Sequence, residues 1–470
     1  MSVTKFKGLI MRKEKDLLGE IEIPQDAYWG VNTQRAIENF NVSNSVLPSI
    51  FTKAIAEVKL ACARTNFRLG YLDDTKFEAI SYACEEIREG KYNDQFALDA
   101  LQGGAGTSAN MNANEVIANI AIEYLKGDKG DYTLVHPLHD VNMHQSTNDV
   151  YPTASRIALL YLLKELELQT GYLQEEFQKK EAEFHHVVKL GRTQLQDAVP
   201  MTLGQEFSAY AEALSRDRWR IFKCRERIKV LNLGGTAIGT GLGAPREYIF
   251  KAVEALKDIT GLTIARSENP IETTQNLDPY VEVSGMLKTL AVNLMKIAND
   301  LRLLASGPHG GLGEINLPAM QAGSSIMPTK VNPVIPEMVV QVALKVMGND
   351  SVLSNAAGMG NLELNQLMPL INHAILDSAF ILKNAVKIFS DKCVAGISAN
   401  ADVCKEHLMK GSILATVLVP VLGYKEVESL MTEATNKQIN IRELILERKL
   451  LTEEQLNELL EPKRMYKLGF

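Results

Sequence analysis

The chain alternates long stretches in which apolar residues keep helical spacing with short polar segments punctuated by glycine and proline. Over 151–190, Ile157, Leu160, Leu163, Leu166 and Leu173 recur at steps of three and four, and Gly171 is the one glycine. That spacing lines one face of a helix, so it predicts an amphipathic helix. At 1.5 Å per residue the element runs about 60 Å if unbroken. Further helices are predicted at 74–89, 203–233, 281–305, 336–353 and 362–389. Residues 281–304 are apolar nearly all round, which calls for burial on every side. Few monomeric domains need helices this long. The pattern predicts a central bundle extended by subunit association, in a symmetric homo-oligomer.

The two ends differ from this middle. Residues 1–148 mix short elements, with turn chemistry at IPQDAYWG (23–30), and read as polar and broken. The C-terminal residues return to short amphipathic helices, including TEEQLNELL (452–460), where Thr452 and Gln455 fit a capping box. The expected fold class is mainly α. The division predicted is an N-terminal domain 1–148, a central helical-bundle domain 149–403 and a small C-terminal helical domain 404–470. There is no internal repeat and no low-complexity segment.

Composition excludes several function classes. A length of 470 residues exceeds one ordinary core, and 46% hydrophobic content is enough to build several. Fifty basic against 57 acidic residues give a formal charge of −7, with no polybasic footprint for nucleic acid or anionic lipid. No run of about 18 uncharged apolar residues occurs. The N-terminus, MSVTKFKGLIMRKEKDLLGE, lacks the apolar core of a signal peptide, so a cytoplasmic protein is expected. Cys62, Cys84, Cys224, Cys393 and Cys404 are odd in number, scattered and without a CxxC pair, which argues against a disulfide framework or a zinc site. His136 and His139 stand beside Asp140 without a third ligand, and His185 and His186 close a predicted helix; structural roles are expected for all four. No metal and no cofactor is expected.

Four polar segments carry candidate chemistry. GSSIMPTKVNP (323–333) crowds Ser324, Ser325, Lys330 and Asn332 between glycine and proline breakers. Its ammonium and amide suit a carboxylate, and its hydroxyls can give or take protons. QGGAGTSANMNANE (102–115) places glycines before Thr107 and Ser108 at a helix start, where free amides suit an anion. It lacks the GK[ST] ending of a nucleotide-binding loop. HQSTNDVYP (144–152) sets Ser146, Thr147 and Asn148 just before the long helix, more residues of this kind than capping requires. GRTQLQDAVPMTLGQE (191–206) gathers Arg192, Thr193, Gln194, Gln196 and Asp197 ahead of Pro200 and a new helix; alone it reads as a polar loop. GGTAIGTGL (234–242) has no GxGxxG and reads as a backbone turn where helices approach closely.

Taken in order, GGAGTSANMNANEVIAN, QSTND, GRTQLQDAVPMTLGQEF and GSSIMPTKVNP resemble the aspartase/fumarase superfamily, most closely its aspartate ammonia-lyases, over nearly the whole chain. The resemblance implies a mostly helical three-domain subunit and a homotetramer that shares a central long-helix bundle. It also implies active sites built from three subunits and a cofactor-free elimination of ammonia from L-aspartate to give fumarate. The small molecules implied as partners are L-aspartate, fumarate and ammonia, with neither nucleic acid nor membrane. Position by position, Ser324 matches the general base that removes a Cβ proton. Thr107, Ser146, Thr147 and Ser325 match the residues that hold the carboxylate becoming an enediolate. Thr193, Lys330 and Asn332 match those on the other carboxylate, and Asn148 and Gln194 those near the leaving amine. A neutral serine is far too weak a base, so its surroundings must ionise it, with backbone amides and Lys330 as the available groups. Fumarases carry histidine where Gln194 stands and usually serine where Thr147 stands. A glutamine can hydrogen-bond an amine but cannot titrate, which favours an ammonia-lyase over a fumarate hydratase. His309, Met368, Val419 and Val421 depart from the family's usual residues; they read either as neutral repacking or as a pocket reshaped for a substituted aspartate.

Overall fold

The computed structural model describes residues 10–410, 414–459, 461 and 464, in a chain that is mainly helical. Strands occur only as two-stranded pairs among the described residues. The chain forms two compact units, one from residues up to 166, 220–288 and 345–381, the other from 167–219, 289–344 and 382 onward.

In the first unit the helix Ser49–Arg68 lies at the centre. Pro48 at its start has no N–H to leave unpaired, and Gly70, with φ of 79°, reverses the chain just past its end. Phe51, Ala54, Ile55, Val58, Ala61 and Cys62 are all buried, against the helices Asp74–Arg88 and Arg246–Thr260. Each large apolar side chain so buried contributes about 1.5–3 kcal/mol. Asp73 caps its helix by accepting the Lys76 N–H, worth about 1 kcal/mol. Two charges lie inside this apolar helix. Glu57 is held by Arg88 and by the Tyr161 hydroxyl, whereas Lys59 has no such counter-ion among the described residues and belongs to the site below.

The second unit is organised around Phe177, Phe184, Phe207, Tyr210 and Phe389, whose rings meet mostly edge to face. Its C-terminal helices enclose a core of their own, made by Leu418, Val427, Leu430, Ala434, Ile441, Leu444, Ile445 and Leu456. The predicted capping box is present there: Thr452 N–H donates to Gln455 Oε1 and Gln455 N–H to Thr452 Oγ1. Leu460, the end of the predicted segment, lies outside the described residues, as do residues 1–9.

The long helices predicted from periodicity are Thr147–Glu183, Leu203–Ile228, Asp278–Leu304, Val334–Ala357 and Met368–Lys392, and each contributes residues to both units. Four expectations need correction. The helix predicted over 362–389 starts only at Met368, because Asn361 and Leu364 pair as a bridge ahead of it. The helix predicted over 151–190 ends at Glu183, because Phe184 to Val187 turn and the strand Val188–Thr193 begins. The one predicted over 203–233 stops at Ile228, where Val230–Leu231 pairs with Ala265–Arg266. Residues 1–148 are less broken than their polarity suggests, since they contain Ser49–Arg68 and Thr107–Tyr124, both extensively buried. Burial of Asp278–Leu304 is also incomplete within the chain, with Val292 at 44% and Leu303 at 42% exposure. No helix among the described residues is long and apolar enough to cross a membrane.

Candidate active site

In the first unit the candidate residues stand on the opening turns of two helices. The helix Thr147–Glu183 begins with a reciprocal cap, in which Ser146 Oγ accepts the Asn148 N–H at 3.2 Å and Asp149 accepts the Ser146 N–H at 3.0 Å. Asp149 is fully buried and also accepts N–H bonds from Gly234 and Thr236 at 3.1 and 3.0 Å. Burial pushes its carboxyl up to about 6, against the opposing pull of those N–H donors and of Lys59. The glycine-rich turn 234–242 is thus the close packing predicted from sequence: a Cβ on Gly239 would lie 2.3 Å from the Ile271 nitrogen. It also serves the candidate site. Asn148 Nδ2 donates to Ala237 O at 2.7 Å, and Asn232 Nδ2 donates to Asn148 O at 2.9 Å.

Thr107 opens the helix Thr107–Tyr124, is exposed, and donates its hydroxyl to Gly104 O at 2.7 Å. The preceding Gly106 has φ of 95°, and a Cβ there would lie 2.5 Å from the Tyr151 ring, so glycine lets the two helix starts approach. One turn further on, Asn110 Nδ2 donates to Thr147 Oγ1 at 3.1 Å. Asn110, Asn112 and Asn114 do not share one face, as helical geometry requires. Asn110 and Asn114 both donate to Asn142 Oδ1, at 3.1 and 3.2 Å, while Asn112 donates to Gln95 O.

The same Asn142 oxygen accepts from Lys59 Nζ at 3.0 Å, and Gln145 Oε1 accepts from it at 2.8 Å. Lys59 is completely buried, and no carboxylate among the described residues is within ion-pairing distance of it. Burial pushes the ammonium down to about 8. A cation therefore lies behind the Thr147 hydroxyl through the chain Lys59, Asn142, Asn110, Thr147. Sequence reading missed it, because one lysine in AIAEVKLACA has the look of a solvated helix position. Asp149, the last residue of QSTND, likewise carries no signal of its burial in the sequence.

In the second unit Thr193 and Gln194 stand at the tip of the hairpin Val188–Thr193 and Gln196–Thr202, not in an irregular loop, and Pro200 lies within its second strand. The tip residues Gln194 and Leu195 have φ of 54° and 60°. Such a two-residue turn matches hairpin twist but favours Asn-Gly, so two non-glycine residues there each cost about 1 kcal/mol. Both Thr193 and Gln194 are exposed.

The segment 323–333 is a closed loop. Gly323 N–H donates to Lys330 O and Asn332 Nδ2 to Gly323 O, both at 2.8 Å. A Cβ on Gly323 would sit 2.7 Å from Lys330 O and 2.8 Å from Asn332 N, which only glycine avoids. Within the loop Ser324 Oγ accepts N–H bonds from Ile326 at 3.2 Å and Met327 at 2.9 Å. Donors aimed at an oxygen favour its ionised form. Ser325 and Lys330 are exposed, and no carboxylate among the described residues pairs with the Lys330 ammonium. No hydrogen bond among the described residues joins this loop to the hairpin tip. The ten residues thus fall into three groups: the helix starts with Thr107, Ser146, Thr147 and Asn148; the hairpin tip with Thr193 and Gln194; and the loop with Ser324, Ser325, Lys330 and Asn332.

Comparisons with known proteins bear on what these groups serve. A family described as Lyase matches residues 19–348, and one described as Fumarase C C-terminus matches 414–467. An aspartate ammonia-lyase from Helicobacter pylori is 47% identical over 457 residues, covering 97% of this chain and 98% of that protein. A crystal structure of fumarate lyase:delta crystallin from Brucella melitensis bound to cobalt superposes with a TM-score of 0.93 at 47% identity, covering 98% of this chain and all of that one. A class II fumarase from Schistosoma mansoni gives a TM-score of 0.92 at 35% identity, covering 97% and 99%.

Proposed function

The chain belongs to this lyase family, and on that premise we propose that it is a carbon–nitrogen lyase catalysing the reversible elimination of ammonia from L-aspartate to give fumarate. The observation that carries the chemistry is the Ser324 oxygen with two backbone N–H groups aimed at it. An alkoxide there takes the Cβ proton. The electron pair left behind moves into the adjacent carboxylate as an enediolate, then returns to form the double bond as the C–N bond breaks and ammonia leaves.

An enediolate carries a second negative charge on one carboxylate, so fixed donors at that group are the largest single source of rate. Thr107, Ser146 and Thr147, on helix starts whose amides add a positive field, and Ser325 supply them in this reading. Thr193, Lys330 and Asn332 hold the other carboxylate; Asn332 does so while one N–H of its amide closes the loop. Asn148 and Gln194 bond the amine. Gln194 makes no hydrogen bond among the described residues and cannot titrate, which suits an amine held by hydrogen bonds rather than a water that must be deprotonated.

We further propose a homotetramer whose active sites each draw on three subunits. Supporting it are the distribution of the candidate residues over different elements and the apolar side chains left open on the long helices, among them Val292, Leu303, Leu344 and Val352. The three-domain division at 148 and 403 belongs to the same reading, supported by the self-contained core of the C-terminal helices. A cytoplasmic location is supported by five buried, unpaired cysteines. The test is to incubate the purified protein with L-aspartate and, separately, with L-malate, following fumarate by its ultraviolet absorbance. Fumarate from aspartate is expected; fumarate from malate alone would replace the ammonia-lyase with a hydratase. Ser324→Ala should lower turnover by about a thousandfold or more with the oligomer intact, and retained turnover would remove Ser324 as the base.

A further inference from the structure

The Gln194 hairpin is anchored by one buried carboxylate that the proposed chemistry does not use. Glu314 has no exposed surface. Its Oε1 accepts from Arg192 Nη2 at 2.6 Å and lies 2.9 Å from His407 Nδ1, and its Oε2 is 3.1 Å from Lys189 Nζ. Lys189 and Arg192 belong to one strand and would point to opposite faces if it were regular. A register shift between Leu190 and Arg192 brings both to the same carboxylate, and Gly191 permits it, since a Cβ there would lie 2.7 Å from Val199 O. Burial alone raises the Glu314 carboxyl, but Arg192, Lys189 and His407 outweigh it and hold the group below its ordinary value.

The main chain of Glu314 is fixed as firmly as its side chain. Its N–H donates to Leu304 O and its carbonyl accepts from Asn400 N–H, both at 2.9 Å. Asn400 immediately precedes the helix Ala401–Lys410, which carries His407 and packs Leu408 against Leu190 of the hairpin. Glu314 therefore ties that helix to a strand end two residues from Gln194.

We propose that Glu314 is a positioning residue that sets the Gln194 hairpin tip against the helix Ala401–Lys410, so that a displacement of this helix is felt at the amine-binding side chain. The inference rests on the reading of Gln194 given above. Buried ion clusters with one member deleted leave an uncompensated charge, so replacing Glu314 itself risks the fold. His407 is the safer lever, because Arg192 and Lys189, the latter shared with Glu206, still face Glu314 without it and the Leu190 and Leu408 contact remains.

The experiment uses the full chain as H407L, H407Q, Q194A and the double variant H407L/Q194A, with kcat, KM for L-aspartate and the thermal midpoint measured for each. H407L is expected to raise KM about five- to tenfold with kcat changed less than about twofold, the signature of lost ground-state positioning. H407Q, whose amide can still donate to Glu314, should restore KM to within about twofold. In the Q194A background H407L should add less than about twofold, because both act through one tip. An effective Q194A beside a silent or fully additive H407L overturns the coupling alone, as does an H407L effect that H407Q does not rescue. A silent Q194A overturns the assignment of Gln194 and the route through the tip with it.

Discussion

Replacing Lys59 by methionine should leave the protein as stable or more stable near neutral pH while weakening its hold on substrate. The ammonium is fully buried and, among the described residues, bonded only to two neutral side-chain oxygens, and burial holds it at about 8 instead of 10.5. At 1.36 kcal/mol per pH unit, keeping the charge there costs ~3 kcal/mol at pH 7. Methionine fills similar volume without that cost. It leaves Gln145 Oε1 without its donor, which costs ~1–3 kcal/mol, whereas Asn142 Oδ1 keeps Asn110 and Asn114. The net change at pH 7 is therefore ~0–2 kcal/mol in favour of the variant. The folded-state value is depressed, so between about 8 and 10.5 the unfolded chain binds more protons than the folded one, and wild-type stability rises with pH across that window. The advantage of the variant should shrink as pH goes from 7 to 10. The assay is the difference in urea midpoint between variant and wild type at several pH values, alongside KM for L-aspartate at pH 7. An advantage that stays flat or grows with pH, or an unchanged KM, would refute the account of Lys59 as a costly buried cation kept for its field.

Two glycine substitutions test the close approaches. Gly323→Ala brings a Cβ to 2.7 Å from Lys330 O, so the loop must open; kcat should fall at least tenfold with the thermal midpoint nearly unchanged, because the loop contributes little core. Gly106→Ala meets the Tyr151 ring at 2.5 Å from a left-handed backbone, so it should cost ~2–4 kcal/mol of stability as well as activity, read by urea denaturation.

The long helices were legible because their apolar residues keep helical spacing over many turns: Ile157, Leu160, Leu163, Leu166 and Leu173 are all buried as the spacing requires. The Thr452 and Gln455 cap was legible because its signature is local. Ser49–Arg68 was not, since a helix enclosed on nearly every side shows no amphipathic period, and it hides Glu57, Lys59, Thr65 and Asn66 among its buried residues. The hairpin at 188–202 escaped for another reason. Its strands carry exposed polar residues and Pro200, and its turn lacks the usual glycine, so only cross-strand pairing reveals it. At the candidate site the four segments were visible as concentrations of hydroxyls and amides. What holds them, namely Asp149, Lys59 and Glu314 with the amide of Asn142, was not, because such groups are recognised by their partners and most of those lie far away in sequence.

In the proposed active site the Lys330 ammonium, unpaired among the described residues, also bears on how substrate arrives. With a formal charge of −7, the chain as a whole repels an anion at a distance. At physiological ionic strength that repulsion fades beyond roughly 8 Å. Inside this radius the local cation dominates, and no carboxylate among the described residues competes for it. Capture in this arrangement is decided at the last few ångströms and not by long-range steering, so added salt relieves the distant repulsion while it weakens the final grip. The encounter rate should accordingly respond to ionic strength far less than for an enzyme that draws its substrate in through an overall opposite charge.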